Sequence, residues 1–193
     1  MRSACPAGAG SPPSRSLQLG GCKTQARCYA VPVPYRPFDD QNCSIANSLE
    51  VLGERWTLLI MREVLLGRRR FVDIRRNVGL APNILSDRLS TLVEHGLLER
   101  RRYSEHPESY EYLPTRKGAE VSPVLLALMQ WGDRHATPPA GPPRVHVHTV
   151  CGHDADPQLT CAHCGQSIGA VELKVRPGPG ANAQQRAEPL LPV

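Results

Sequence analysis

The fold is decided by residues 71–113, which read FVDIRRNVGLAPNILSDRLSTLVEHGLLERRRYSEHPESYEYL. The first part, 71–78, places its apolar residues at helical spacing and is predicted to be a short helix. A Gly-Leu-Ala-Pro break follows, and Pro82 suits the first turn of a second helix over 81–95. The apolar face of that second helix consists of Leu85, Leu89, Leu92 and Val93.

Two β-strands are predicted directly after the second helix. Residues 97–103 and 110–113 have the composition of strands, and the loop 104–109 between them contains Pro107. Two helices joined by a short glycine-containing turn and followed by a basic hairpin are typical of a winged helix-turn-helix. We therefore predict a mainly α fold with a small β-hairpin, the wing.

Two helices are predicted before this motif. The first covers 43–52, with Asn42 as a suitable N-cap and Gly53 as a stop. The second covers 56–66 and is apolar on most sides, so we expect it to be the central helix of the domain.

A last helix is predicted after the hairpin, over 115–136. Thr115 caps it, and Pro123 lies inside it and is expected to kink it. Its apolar residues are Val121, Val124, Leu125, Leu128 and Trp131. This stripe needs a cover, which is either a second subunit, the interpretation we favour, or the first helix of the same chain.

The two ends of the chain differ in composition from its middle. The chain has 193 residues and a formal net charge of +5, from 23 Lys and Arg against 18 Asp and Glu. Residues 1–40 carry +3 of this charge and residues 41–136 carry +2, whereas residues 137–193 are neutral. Proline and glycine make up ten of the first 40 residues and 15 of the last 57, but only ten of the 96 between them. We therefore predict a disordered leader over 1–38, a packed domain over 39–136, a Pro-rich linker over 137–145 and a disordered tail over 177–193.

Arginines cluster inside the predicted domain, at 68–70, 75–76 and 100–102. Such clusters are typical of nucleic-acid-binding surfaces, although each one alone is equally compatible with a solvated surface. The sequence has no run of 18 apolar residues, and residues 1–29 contain no apolar h-region, so we expect no membrane span, no secretory signal and a cytoplasmic location. No serine–histidine–aspartate order, paired carboxylates or phosphate-binding glycine loop points to an enzyme.

One histidine and three cysteines after the linker have the spacing of metal ligands. His148 and Cys151 are separated by two residues and followed by glycine, and Cys161 and Cys164 repeat this pattern. The pattern predicts a small zinc-ribbon-like element over 146–176, in which these four side chains hold one structural Zn²⁺. The other histidines that could supply the fourth ligand are His153, His146 and His163. A disulfide between the last two cysteines, or a site without metal, is the alternative.

The chain also resembles a known family. The motifs that carry the resemblance are Cys43-Ser44-Ile45, Leu52-Gly53-Glu54-Arg55-Trp56-Thr57, Gly67 with Arg70-Phe71, Leu85-Ser86-Asp87-Arg88-Leu89, Glu94-His95-Gly96-Leu97, Tyr112-Leu113-Pro114-Thr115 with Gly118, and Trp131-Gly132. On these motifs, residues 39–136 resemble the HxlR-type helix-turn-helix regulators, a branch of the MarR-like winged-helix proteins. The resemblance implies a homodimer formed through the first and last helices. It also implies binding of double-stranded DNA, with the helix 81–95 in the major groove and the wing beside the backbone.

Carried onto this sequence, the resemblance assigns DNA contacts to the helix 81–95 and to the wing. The residues expected at base edges are Asn83, Ser86, Asp87 and Ser90. Arg88 is expected at a phosphate or a base, and Arg100 and Arg102 at phosphates, whereas strand alternation turns Arg101 to the opposite face.

The function expected on this basis is a sequence-specific DNA-binding transcriptional regulator, acting as a homodimeric repressor, with no effector indicated. The alternative is a zinc-dependent protein-interaction adaptor that uses the winged helix as a dimerisation platform.

Cys43 has two possible roles. In some members of the resembled family, a cysteine that matches it senses electrophiles or disulfide stress. A thiol in the first turn of a helix suits that chemistry, because the helix dipole stabilises the thiolate. The alternative, which we favour, is a small apolar residue packed at the dimer interface.

Overall fold

The computed structural model describes residues 38, 41–136, 138–169, 171–188 and 191–192. The predicted leader therefore lies outside the described residues, except for Phe38. Within the described part, every helix is too short or too polar to cross a lipid bilayer.

The first helix, α1, covers Ser44–Leu52 and begins one residue later than predicted. Cys43, in an extended conformation, is the residue that precedes its first turn. The predicted N-cap at Asn42 is wrong, because the side-chain amide of Asn42 donates to the carbonyl of Gly180 and to Oε1 of Gln185. The start of α1 is thus tied to residues far along the chain.

The second helix, α2, covers Thr57–Leu65 and is the centre of the domain, as predicted. Its side chains Ile60, Met61 and Val64 are at most 2% exposed. The core around them also contains Ile74, Leu80, Leu85, Leu89, Leu92, Leu97, Leu98 and Val121. The apolar residues that line the predicted helix-turn-helix therefore pack onto α2.

The third and fourth helices form the predicted helix-turn-helix, with α3 over Phe71–Val78 and α4 over Pro82–Glu94. The helix α3 ends at Gly79, whose φ of 76° lies in the left-handed region that glycine adopts without strain. Leu80 is buried in the turn, and Pro82 lies in the first turn of α4 as predicted.

The wing consists of β1, Leu98–Glu105, and β2, Glu108–Pro114, which pair antiparallel. Both strands are longer than predicted, because residues 104–105 pair with residues 108–109. Only His106 and Pro107 remain in the connecting turn.

A third segment joins the wing at β2. Arg70 forms an isolated antiparallel bridge with Glu111, and the N–H of Tyr112 donates to the carbonyl of Arg69 over 2.8 Å. The sequence does not predict this contact, because residues 68–70 are all arginine and show no strand periodicity.

The single last helix of the prediction is two helices in the structure. They are α5, Arg116–Ala119, and α6, Ser122–His135. The predicted cap is confirmed, since the Thr115 hydroxyl accepts a hydrogen bond from the N–H of Gly118. The predicted kink is wrong: Pro123 lies in the first turn of α6, where the missing N–H of proline breaks no helical hydrogen bond.

The segment after α6 has little regular structure in its first part. Residues 138–145, which are the described part of the predicted linker, contain no helix or strand. Residues 146–169 form turns and two isolated β-bridges.

The end of the chain is more regular than predicted. Strand β3, Lys174–Val175, pairs with β4, Leu191–Pro192, and helix α7 covers Ala183–Ala187 between them. The prediction of disorder over 177–193 is corrected for these residues. The physical reason is a capping box, in which the side chains of Asn182 and Gln185 satisfy backbone N–H groups at the start of α7.

Candidate nucleic-acid interface

One face of α4 is polar and points away from the core. The predicted base-contacting side chains Asn83, Ser86, Asp87 and Ser90 are all exposed. On the opposite face, Leu85, Leu89 and Leu92 are at most 2% exposed. The packing of these leucines fixes the rotation of α4, and it brings the four predicted side chains onto one open surface.

The start of α4 is also open. Ala81 precedes the helix and offers no side-chain cap, and the first turn contains no acidic residue. The free backbone N–H groups of a first turn attract anions such as phosphates. The beginning of α4 is therefore suited to lie near a DNA backbone.

Arg88 does not share the open face. Its side chain is half-buried, and its Nε lies 3.6 Å from Oε2 of Glu54, in the loop between α1 and α2. The same carboxylate oxygen accepts the N–H of Trp56 over 2.9 Å. This placement favours a structural role for Arg88, joining α4 to that loop, over the predicted DNA contact.

Arg101 lies on a different face of the wing from its two neighbours. It is opposite Glu111 in the strand register, and its Nε and Nη2 both donate to Oε1 of Glu111, over 2.9 and 2.8 Å. Arg100 and Arg102 are opposite Tyr112 and Tyr110. Strand alternation thus divides the arginine cluster as predicted, and the charge of Arg101 is neutralised.

Arg100 stacks on an aromatic ring. Its guanidinium carbon lies 3.5 Å from the centre of the Tyr110 ring, the geometry of a cation–π contact. The Tyr110 hydroxyl donates to Glu108, and this hydrogen bond raises the pKa of Tyr110 above its ordinary value. Like any tyrosine at its ordinary pKa, Tyr110 is neutral at physiological pH, so the ring supports Arg100 without competing charge.

The tip of the wing is acidic, which was not predicted from the sequence. Glu105 and Glu108 flank the turn, and Arg102 donates from Nη2 to Oε1 of Glu105 over 3.2 Å. Exposed pairs of this kind are weak, so a phosphate could replace the carboxylate as the partner of Arg102. Positive charge for DNA is available along β1 and not at the tip.

The arginines of 68–70 are not a uniform basic patch. The Glu63 carboxylate is fully buried in α2 and accepts from Nε of Arg62 and from Nη1 of Arg68, each over 2.8 Å. Arg70 lies over the ring of Tyr103, with 4.7 Å between the guanidinium carbon and the ring centre. Arg68 therefore neutralises a buried carboxylate of the core, and Arg70 attaches the start of α3 to the wing.

Exposed apolar side chains also lie on α6 and on α1. On α6, Val124, Leu128 and Trp131 are 48%, 51% and 56% exposed, and they lie on one face at helical spacing. On α1, Ile45 and Leu49 are 71% and 45% exposed. Val124, Leu128 and Trp131 are therefore not covered by α1, contrary to the alternative in which the first helix of the same chain buries the stripe.

Cys43 lies at the start of α1 and is half-buried. It precedes the first turn instead of lying within it, and its thiol accepts no hydrogen bond from the helix N–H groups.

The four predicted metal ligands lie in two turns of the same shape. In the first turn, the N–H of Gly152 donates to the carbonyl of His148 over 2.8 Å. In the second, the N–H of Gly165 donates to the carbonyl of Cys161 over 2.8 Å. Both glycines have positive φ, of 74° and 73°. The bridges that close the turns, 147 with 154 and 160 with 167, are also equivalent.

The structure brings the ligands together as two pairs. Nδ1 of His148 is 3.2 Å from Sγ of Cys151. In the other turn, hydrogen bonds from the backbone of Cys164 and then of His163 lower the pKa of the Cys161 thiol. In the described part of the chain, no three histidine, cysteine, aspartate or glutamate side chains are grouped closely enough to hold a metal. The main alternative ligand, His153, is exposed and contributes its backbone carbonyl to the first turn.

The chain is similar in sequence to known helix-turn-helix proteins. A family profile described as HxlR-like helix-turn-helix matches residues 51–140. An uncharacterized HTH-type transcriptional regulator of Mycobacterium bovis is 47% identical over 141 residues, which are 73% of this chain and 89% of the relative. Another, from Synechocystis, is 34% identical over 91 residues, which are 47% of this chain and 67% of the relative.

Two solved structures are similar over most of the chain. PA1374 from Pseudomonas aeruginosa, described as a candidate transcription factor, is 40% identical with a TM-score of 0.54, over 75% of this chain and 98% of that one. PA1607, described in the same way, is 32% identical with a TM-score of 0.63, over 71% of this chain and 96% of that one. These matches agree with the winged helix and the exposed face of α4 described above. The chain belongs to the HxlR-like helix-turn-helix family, whose relatives are named transcriptional regulators.

Proposed function

We propose that this regulator binds duplex DNA sequence-specifically as a homodimer and represses transcription. The observation that carries the proposal is the open polar face of α4, held in place by the buried leucines behind it. An exposed helix of this kind fits the major groove, where each base pair presents a distinct pattern of donors and acceptors. Repression is the simplest consequence, because a protein bound over a promoter blocks it without any further contact.

The dimer is proposed on the exposed apolar surface of α1 and α6. Helix-turn-helix dimers read two half-sites about one helical turn apart, so two copies of α4 must be held at a fixed distance. A two-fold interface would bury the same apolar patch from each copy. The half-exposed Val124, Leu128 and Trp131 supply such a patch on α6.

Cys43 fits this arrangement as a packing residue of the α1 end. It is half-buried and its thiol receives no hydrogen bond from the helix, which supports the interpretation favoured above. Electrophile sensing by Cys43 stays a prediction.

The adaptor alternative has no support in the relatives, whose names describe regulators and not adaptors. The arrangement on the open face of α4 suits contact with bases, and an adaptor would not need it.

The proposal is tested by selection from random duplex DNA. Purified full-length protein is incubated with the library, and the bound fraction is sequenced. A selected two-fold symmetric motif, bound with strong salt dependence, supports the proposal. Enrichment of no motif over several rounds would contradict sequence-specific binding.

Replacement of Arg100 tests the wing. Arg100→Ala is expected to weaken binding about equally for all sequences and to reduce the magnitude of the slope of log K against log salt by about two for the dimer, about one per subunit. The reason is loss of one phosphate contact per subunit from a side chain that pairs with a ring and not with a carboxylate. Fluorescence anisotropy at several salt concentrations measures the slope.

Arg101→Ala is the matched control, because Arg101 belongs to the same strand but binds Glu111 on the other face. Its slope is expected to equal that of the unaltered protein. Equal slopes for the two variants would remove Arg100 from the interface.

Replacement of Asn83 tests the reading of bases. Asn83→Ala is expected to reduce discrimination at one base pair of each half-site by about 1–3 kcal/mol, with little change at the others. The control is Asn77→Ala, an exposed asparagine of α3 whose amide donates to the carbonyl of Asp73. Competition with single-base variants of the selected site measures both. A uniform loss across all positions in Asn83→Ala would instead indicate that Asn83 does not read a base.

A further inference from the structure

The segment between α6 and β3 has almost no core of its own. Most of its large apolar side chains lie on the surface: Val147, Val150 and Leu159, for example, are 56%, 86% and 74% exposed. Residues 146–169 contain no helix and no strand beyond isolated bridges. A segment this short cannot be stabilised by apolar burial, and small units of this kind need a covalent or metal cross-link.

The two matched turns provide the elements of such a cross-link. Each has a ligand-forming side chain at its first and fourth positions and a left-handed glycine at its fifth. Each is closed by the same pair of backbone hydrogen bonds, from residue five to residue one and from residue one to residue six. The second of these bonds joins His148 to His153 in one turn and Cys161 to Gln166 in the other, over 2.9 and 2.8 Å. Equivalent turns place equivalent donors, so each turn offers one pair of ligand side chains to a metal ion.

We propose that His148, Cys151, Cys161 and Cys164 bind one structural Zn²⁺ that joins the two turns. Within the first pair, the distance of 3.2 Å between Nδ1 and Sγ is close to the separation of two ligands on one zinc. That separation is about 3.5 Å for tetrahedral bonds of about 2.0 Å to nitrogen and about 2.3 Å to sulfur. Binding brings the second pair onto the first, and three thiol protons pass to solvent as the thiolates form bonds to the metal.

This site is structural because it is closed. Four protein ligands complete the tetrahedral shell of zinc and leave no position for a reactive water. Three sulfur ligands and one imidazole suit zinc better than magnesium or calcium, which prefer oxygen.

The site is also attached to the helical domain. On α6, Nε2 of Gln130 donates to Oδ1 of Asp156 over 3.1 Å and to the carbonyl of Pro157 over 2.9 Å. These two residues lie between the two turns. Zinc binding therefore stabilises a segment that rests on α6.

Metal content of the full-length protein tests the proposal without any DNA. Protein purified without chelator is expected to contain about one zinc per chain, measured by mass spectrometry of the metal. Cys161→Ser, Cys164→Ser, Cys151→Ser and His148→Ala are each expected to fall below about half of that value. Replacement of the metal by Co²⁺ is expected to produce the intense visible bands of tetrahedral coordination with thiolate ligands.

Two controls separate ligand loss from general damage. Cys43→Ser removes a cysteine outside the site, and His153→Ala removes the neighbouring histidine; both are expected to keep their zinc. Thermal unfolding of the helical domain is followed in every variant, and it is expected to persist because its core contains none of the four ligands.

Several results would overturn the proposal. Protein with all thiols reduced and less than about half an equivalent of zinc would exclude the site. A native disulfide between Cys161 and Cys164, seen by mass and thiol titration, would replace it. Zinc loss in His153→Ala with retention in His148→Ala would refute this ligand set.

Discussion

Gly118→Ala is expected to lower the free energy of unfolding by about 3 kcal/mol. A Cβ at this position would lie 2.0 Å from the carbonyl oxygen of Leu97 and 3.0 Å from its carbonyl carbon. This overlap is not easily relieved, because the Leu97 atoms belong to the backbone and the added Cβ is attached directly to the backbone of α5. The same Leu97 oxygen accepts the N–H of Thr115 over 3.0 Å, so α5 must move away and break that bond. Urea unfolding followed by circular dichroism measures the effect.

Gly132→Ala is the control for Gly118→Ala. It also adds a methyl group to a helical glycine, but apart from the adjacent residues and the backbone of the same helix, no heavy atom lies within 4 Å of the added Cβ. Because alanine is the better helix former, the stability of this variant is expected to stay the same or rise by up to about 1 kcal/mol. If both variants unfold at the same urea concentration, the contact of α5 with Leu97 does not constrain the fold.

Leu128→Glu is expected to separate the proposed dimer. Burial of one leucine contributes about 1.5–3 kcal/mol, and a two-fold interface loses it twice while gaining two unpaired carboxylates. The dissociation constant of the dimer is therefore expected to rise by at least about 100-fold, which is about 2.7 kcal/mol. Analytical ultracentrifugation over a range of concentrations measures it. DNA affinity is expected to fall in parallel, since one subunit reaches a single half-site.

The control for this variant is Val171→Glu, which places the same charge on another exposed apolar residue, 81% exposed and outside α1 and α6. Its dissociation constant is expected to equal that of the unaltered protein. A dimer that survives Leu128→Glu unchanged would mean that this face of α6 is not the interface.

Much of the helical domain is predictable from local patterns. The spacing of Leu85, Leu89 and Leu92 defines α4 and its buried face, and by exclusion the open polar face. The break at 79–82 defines the turn before it. Helix periodicity and proline or glycine signals act over a few residues, so they are visible without knowledge of the fold.

The roles of individual charged residues were less predictable. Arg88, Arg101 and Arg68 occur in sequence as equivalent basic residues, yet each binds a different carboxylate. Of these carboxylates, only Glu63 lies close to its arginine in the sequence. The free energy of such a pair depends on distance and burial, which require the folded chain.

Two further differences arise from the ends of elements. Residues 104–105 were expected in a loop, but pairing with residues 108–109 extends the strands, since ladder hydrogen bonds outweigh weak local preferences. Asn42 was expected to cap α1, but its amide binds residues near α7 instead.

The winged helix, the face of α4 and the spacing of the four metal-ligand candidates are therefore properties of the amino-acid order, because periodicity and spacing are local. Only the folded chain shows which arginines remain available to DNA, that Pro123 separates two helices, and that α6 exposes an apolar face. These features depend on contacts between distant segments, whose burial and partners no local pattern specifies.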